Sequence, residues 1–393
     1  MERREMHMLF RCKSAGNPLY VHCFVWLMVF VLYNLDITGY TYYKLDRVLM
    51  IVAGIIIPFF SGYGVVMFLL DETKPVHNIC FDIRDVFSSV VRIDAVFKVF
   101  LILLVFEFVF EGYIPLISML RGADIQHFDF GISSLHGFVM ALGAILGTSY
   151  YLLYSFTKEK KNLIKILFIF SVFALLVTRK MIVVLAVQML MIELLLFGMR
   201  NIYKYLIWIL LIIIVFGMIG DVRLDRDTIL SFASLNYKYP DYLPSGFIWI
   251  YLYMVTPLAN LLNLVYETNV HYAWVPNFLM QLFPTVIRVH LLGENLEKGG
   301  NFSQEWLVSD AFNVSTGFSG IYTDFAIYGV ILFCFVLGVF SGRLWKTKYG
   351  VQGFMSCVVL NYCISSMVFS NDFVNLNVIF QLVLIRFLFV KKY

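Results

Sequence analysis

Charged residues are scarce in this sequence: only 14% of its 393 residues are Asp, Glu, Lys or Arg, whereas 61% are hydrophobic. A soluble globular protein carries about 25% charged residues, so a soluble domain cannot make up the bulk of the chain. The mean hydropathy of +0.82 leads to the same conclusion. A small-residue cleavage site after the first apolar run is also lacking, so we expect a retained membrane helix rather than a removed signal peptide.

Short catalytic motifs are missing as well. The sequence has no Walker loop, no GxGxxG ahead of a helix and no HExxH, which are common signatures of nucleotide-binding and zinc enzymes. Its six cysteines form no CxxC pair, so we expect small buried hydrophobic side chains rather than a disulfide or metal framework. The "DRD" at Asp225 to Asp227 resembles a metal-binding Asp-x-Asp, but its central arginine repels a divalent cation. We predict no metal, no cofactor and no nucleic-acid partner.

Long apolar runs are abundant. A spanning helix needs about 20 mostly apolar residues, because its backbone polar groups must be satisfied inside hydrocarbon. Twelve such runs predict an all-α, polytopic integral membrane protein, with one membrane domain over residues 1–393. The predicted spans are 20–37, 48–70, 97–117, 134–156, 163–178, 181–198, 204–220, 246–266, 271–291, 318–341, 350–369 and 374–390.

The positions of the basic residues predict the orientation. With a cytoplasmic N-terminus, the inner segments hold twenty Lys and Arg residues and the outer segments ten, which accounts for all 30. Because Lys and Arg favour cytoplasmic loops, we expect both termini to be cytoplasmic and two larger loops, 221–246 and 292–317, to be periplasmic. The inner turn "YETNVHYAW" has no Lys or Arg, so the charge pattern does not support the pair of spans at 246–291.

Three stretches are similar to bacterial O-antigen and related polysaccharide polymerases, in the same order along the chain. They are "EGYIPLISMLRGADIQHFDFGISSLHG", "YLYMVTPLANLLNL", and "FPTVIR" followed by "WLVSDAFNVSTGFSGIYTDFAIYGVILF". Arg288 and Gly299 also match an Arg-x10-Gly spacing of some members. The other long loop departs from that spacing, because Ser234 and Tyr237 stand eleven residues after Arg223 and Arg226.

The resemblance implies a glycosyltransferase of the bacterial inner (cytoplasmic) membrane that acts in the biosynthesis of lipopolysaccharide or a related polysaccharide. Its substrates are oligosaccharide repeats on undecaprenyl diphosphate, held at the bilayer. The growing glycan is transferred to the next lipid-linked repeat at the periplasmic face, and undecaprenyl diphosphate leaves. A partner that regulates chain length is left open.

Such a transfer needs cations to stabilise the leaving diphosphate, and guanidinium groups can bind it bidentately. Basic residues on predicted outer segments are therefore candidates for binding the diphosphate or the glycan. Other roles remain open for them: snorkelling to lipid headgroups, capping of a helix end, or local ion pairs with neighbouring aspartates. The candidates are Arg288, Arg179, Lys180, Arg223, Arg226 and Arg121.

The attacking sugar hydroxyl also needs a base. The candidates are Asp310, Glu294, Asp324 and His290, with His136 as a further alternative. Asp324 lies in the start of a span, where an ionised group costs about 2.5–3.5 kcal/mol unless it is paired, so we expect a partner or a water-lined cavity. Asp310 is equally suited to an N-cap or a solvated loop.

Glu107 lies in an apolar run and is either functional or a protonated, hydrogen-bonded residue of the bundle. Two other functions also remain open. A flippase for the same lipid-linked repeats has many spans, but transporters usually contain internal repeats and charges deep in their helices. An O-antigen ligase, which moves finished glycan to the lipid A core, shares the chemistry of the polymerase.

Overall fold

The computed structural model is a helical bundle with one small sheet, which agrees with the predicted all-α class. It describes residues 9–69, 79–122, 130–132, 134–201, 203, 210, 233–236, 245–268, 270, 272–284, 287, 306–310 and 312–390. The helices are α1 (Pro18–Tyr33), α2 (Leu45–Leu69), α3 (Ile83–Ser88), α4 (Val90–Glu111), α5 (Pro115–Leu120), α6 (Leu135–Thr157), α7 (Lys160–Leu175), α8 (Arg179–Phe197), α9 (Ser245–Tyr266), α10 (Ser319–Thr347), α11 (Gly350–Ser366) and α12 (Leu376–Leu388). Short 3-10 helices occur at Ser14–Gly16, Gly198–Asn201, Asn277–Leu282 and Asp372–Val374.

Ten of the twelve predicted spans coincide with α-helices. Of the span predicted at 204–220, only residue 210 lies within the described residues. Five of the described helices are long and apolar enough to cross a membrane, which supports a multi-pass membrane protein, while the number twelve stays a prediction. These five are Leu45–Leu69, Leu135–Thr157, Arg179–Arg200, Gly246–Tyr266 and Ser319–Thr347.

The bundle has two different ends. Strands β1 (Leu9–Arg11) and β2 (Ile79–Asp82) pair antiparallel and mark the first end, which we call the sheet end. The N–H of Lys13 donates to the carbonyl of Leu195 there, at 2.8 Å. The opposite end is built from segments 34–44, 130–132, 306–310, 312–318 and 367–375, and we call it the loop-rich end. The N-termini of α2, α6, α8, α10 and α12 all lie at this end.

Helices α2 and α10 pack closely through glycines. A Cβ added at Gly62 would lie 2.1 Å from the carbonyl oxygen of Phe335, and one added at Gly338 would lie 2.1 Å from that of Phe59. Further along, Lys346 donates to the carbonyl of Met67 at 3.0 Å. The contacts advance in the same direction on both helices, so the two run parallel. The predicted topology has the same feature.

The segment after helix α9 differs from the predicted pair of spans. The N–H of Ile37 donates to the hydroxyl of Tyr251 at 3.3 Å, and the hydroxyl of Tyr43 donates to Asn263 at 2.8 Å. Tyr251, in the first half of α9, and Asn263, near its C-terminus, therefore both lie beside segment 37–43 at the loop-rich end. The span predicted at 271–291 is wrong over residues 272–284, which form irregular chain and a short 3-10 helix. Pro276 and Pro284 cannot donate the backbone hydrogen bonds that an α-helix needs.

Three of the free cysteines among the described residues follow the sequence prediction. Cys334, Cys357 and Cys363 are buried and free, and they pack as small hydrophobic side chains. Cys12 is disulfide-bonded, so the prediction is wrong for this residue. Cys12 lies directly after β1, at the sheet end.

Candidate functional site

Five of the predicted site residues lie outside the described part of the chain, and the sequence remains the basis for them. They are Arg288, His290, Glu294, Arg223 and Arg226. The described candidates all lie at the loop-rich end, on α5, α8, α10 and the loop before α10.

Arg179 and Lys180 form the first turn of α8. A positive charge there opposes the helix dipole, so dipole compensation of α8 does not explain the pair. Lys180 has a local partner: its Nζ lies 2.6 Å from Oδ1 of Asp372. Asp372 is buried and also accepts a hydrogen bond from the hydroxyl of Tyr362. Lys180 therefore anchors the loop before α12 to α8.

Arg179 is different from its neighbour. Its side chain is exposed, and no contact with an acidic group is found within the described residues. A guanidinium group that stands against the helix dipole gains most from an external anion. Arg179 is therefore the described cation best placed to meet an external anion.

Arg121 is another exposed arginine of this end. It caps the C-terminus of α5, which packs against α7. A cation at a helix C-terminus is favourable for the dipole. The structure thus supplies a local reason for Arg121 that it does not supply for Arg179.

Asp324 has the partner that its position in α10 demands. Phe325 and Ala326 break the helix, and Asp324 lies just before the break. Its Oδ2 accepts from the backbone N–H of Phe278 at 2.8 Å, and its Oδ1 accepts from Nδ2 of Asn277 at 3.1 Å. The carboxylate thus fixes segment 272–278 against α10. Its role as a base stays a prediction.

Asp310 lies exposed in a loop that Asn260 holds in place. Nδ2 of Asn260 donates to the carbonyls of Phe312 and Val314, each at 2.8 Å. Its Oδ1 accepts from the N–H of Val308 at 2.8 Å. Asn260 thus connects α9 to the loop, and Asp310 stays available within the described residues.

Aromatic side chains line the same end. Cζ of Arg47 lies 4.9 Å from the ring centroid of Tyr266, and Tyr42 and Tyr43 pack together at 4.6 Å. Burial, followed by the hydrogen bond with Tyr42, raises the pKa of Tyr43 above its ordinary value, so Tyr43 stays a donor to Asn263. The pairing of these rings with polar groups suits contact with sugars as well as a membrane interface.

One pair was not predicted from the sequence. Glu107, on α4, is fully buried, and its Oε2 lies 3.2 Å from Nδ1 of His136 at the start of α6. Each residue could be singled out in the sequence, Glu107 as a carboxylate in an apolar run and His136 as an alternative base. Their pairing could not, because 29 positions separate them.

Comparisons with protein-family models, with curated proteins and with solved structures find no match for this chain.

Proposed function

We propose that this protein is a bacterial inner-membrane glycosyltransferase that polymerises oligosaccharide repeats carried on undecaprenyl diphosphate. The reaction takes place at the loop-rich end, which faces the periplasm. The growing glycan moves to the next lipid-linked repeat, and undecaprenyl diphosphate leaves. The sequence resemblance described above suggests the substrate class, and the chemistry of the loop-rich end supports the reaction.

The observation that carries the proposal is the exposed Arg179 at the N-terminus of α8. A leaving diphosphate accumulates negative charge, which a positioned guanidinium stabilises. The N-termini of α6, α10 and α12 lie at the same end, and each presents the positive end of its dipole. An anionic headgroup at this end therefore meets complementary charge while its prenyl chain stays in the lipid.

The charge distribution supports the periplasmic placement of this end. The loop-rich end carries few basic residues, which are Lys44, Arg47, Arg121, Arg179 and Lys180 within the described segments. Most of the other described basic residues lie at the sheet end, as expected of a cytoplasmic face. The disulfide of Cys12 favours the opposite placement, since disulfides persist in oxidising compartments. The charge distribution depends on many residues and the disulfide on one, so the periplasmic placement of the loop-rich end is the better supported of the two.

Replacement of Arg179 tests the proposal in a strain that depends on this protein. Arg179→Ala should give a normally inserted protein that makes glycans of a single repeat. Arg179→Lys should restore part of the polymer, because lysine keeps the charge without the bidentate geometry. Arg343→Ala is the matched control, since Arg343 is exposed at the sheet end. Ladder-length polysaccharide from well-expressed Arg179→Ala would argue against the proposal, as it would from Arg288→Ala.

Deletion of the protein separates the polymerase from its two rivals. Cells that still cap their lipid A core with one repeat have lost a polymerase. Polymer that stays bound to the lipid carrier indicates a ligase. Repeats trapped on the cytoplasmic leaflet indicate a flippase. The buried hydrogen bond between Gln188 and Gln381 would agree with that result, since transporters often carry polar groups deep in their helices.

A further inference from the structure

The Glu107–His136 pair sits in a shell that fixes the imidazole on several sides. Gly131 adopts a positive φ of 99°, and a Cβ added there would lie 2.6 Å from the imidazole. The N–H of Gly131 donates to Oε1 of Glu111 at 3.0 Å. The ring of Phe130 packs edge-on against the imidazole at 5.7 Å. Two carboxylates of α4 thus hold the imidazole, one directly and one through the backbone of segment 130–132.

The two nitrogens of His136 are in different environments. Nδ1 faces the buried carboxylate of Glu107 at 3.2 Å. Nε2 has no partner within the described residues, and 22% of the side chain is exposed. When Nδ1–H donates to Glu107, Nε2 carries the lone pair, and the carboxylate stabilises the positive charge that arises when Nε2 takes a proton.

Burial of Glu107 in the bundle costs free energy. It is fully buried, and its Oε1 has no hydrogen-bond partner among the described residues. A buried polar atom without a partner costs free energy. A purely structural role would be served as well by a side chain without this penalty, whereas orientation of an imidazole requires an acceptor at this position.

The pair and the proposed diphosphate site share a neighbouring segment of the chain. A Cβ added at Gly137, next to His136, would lie 3.0 Å from Oδ1 of Asn377 in the first turn of α12. Asp372, in the loop that leads into α12, binds Lys180 next to Arg179. The N-termini of α6 and α8 therefore share α12 and its preceding loop as a neighbour. The imidazole and the guanidinium thus lie on different helices at the same end of the bundle.

We infer that His136 is the base of the glycosyl transfer and that Glu107 is its positioning residue. This inference rests on the proposed function. The oxygen of the acceptor hydroxyl forms a bond to the anomeric carbon of the growing glycan, and the bond from that carbon to the diphosphate breaks. The hydroxyl proton passes to Nε2 of His136. The diphosphate leaves with the bonding electron pair, its charge held by Arg179, and His136 later releases the proton to water.

The test uses purified full-length protein and lipid-linked repeats. His136→Ala and His136→Gln should each lower kcat by about 100-fold or more, in the range of general base catalysis, with KM little changed. Added imidazole should restore activity to His136→Ala at least tenfold, which a merely structural histidine would not allow. Glu107→Gln should lower kcat at least tenfold, and Glu107→Asp should recover part of it. The matched control is Glu193→Gln, because Glu193 is also buried and pairs with Tyr151.

The outcomes separate this inference from the proposed function. Wild-type protein that makes no polymer contradicts the proposed function. Wild-type protein that makes polymer, together with unchanged kcat in both His136 variants, contradicts only the inference. Loss of activity without imidazole rescue, or loss that Glu193→Gln reproduces, also overturns it.

Discussion

Replacing Gly62 with alanine tests the packing of α2 against α10. The new Cβ would lie 2.1 Å from the carbonyl oxygen of Phe335 and 3.1 Å from the backbone nitrogen of Val339. Both atoms belong to a helix backbone, so they cannot move aside as a flexible side chain would. The two helices must separate by roughly an ångström or more, and overpacking of this kind typically costs about 1–3 kcal/mol.

Gly64 provides a matched control on the same helix. A Cβ added there meets nothing within 4 Å. Each glycine-to-alanine change gains about 1 kcal/mol of helix propensity, and this gain cancels in the comparison. The difference in unfolding free energy between Gly62→Ala and Gly64→Ala therefore reports the packing alone, at about 1–3 kcal/mol.

Reversible unfolding in mixed detergent micelles measures this difference. Gly338→Ala should behave like Gly62→Ala, because its Cβ would lie 2.1 Å from the carbonyl oxygen of Phe59. Close approach of backbones at small residues is a common way for membrane helices to associate. If Gly62→Ala is as stable as Gly64→Ala, α2 and α10 are not in this contact and the reasoning fails.

Three further predictions concern side chains of the loop-rich end. Asp324→Ala should lower the stability in detergent by about 1–3 kcal/mol, because the partly buried N–H of Phe278 loses its acceptor. Asp310→Ala should change stability little, and equal effects would refute the structural role. Asn260→Ala should speed proteolytic cleavage in loop 306–316; an unchanged rate would speak against its anchoring. Lys180→Met should destabilise wild-type protein more than it destabilises an Asp372→Asn background, with a coupling of at least about 0.5 kcal/mol; additive effects would contradict the ion pair.

The sequence predicted most of the helices because each satisfies its backbone hydrogen bonds internally, so a long apolar run is sufficient to indicate one. Helix α9 shows the limit of this argument. Its composition suits a span, yet hydrogen bonds from Tyr43 to Asn263 and from Ile37 to Tyr251 hold these two residues of the helix beside one segment. These partners lie more than 200 positions away, and an apolar run carries no information about them.

The candidate site was predictable in part. The cost of burying Asp324 predicted a partner, and the structure contains one in Asn277 and the backbone of Phe278. The same reasoning singled out Glu107, but it could not identify His136 as its partner. The approach of α4 to the start of α6 brings these two side chains together, and that approach depends on packing across the whole bundle. The sequence thus indicates which buried carboxylates need a hydrogen-bond partner, whereas the fold determines which residue that partner is.

The most direct test of the proposed function uses purified protein in liposomes with lipid-linked repeats as the only substrate. The products are resolved by size, with and without a chelator. We predict a ladder of lipid-linked glycans, release of one undecaprenyl diphosphate for each bond formed, and no effect of the chelator. Unchanged single repeats and no released carrier, from folded protein, would contradict the assignment as a polymerase.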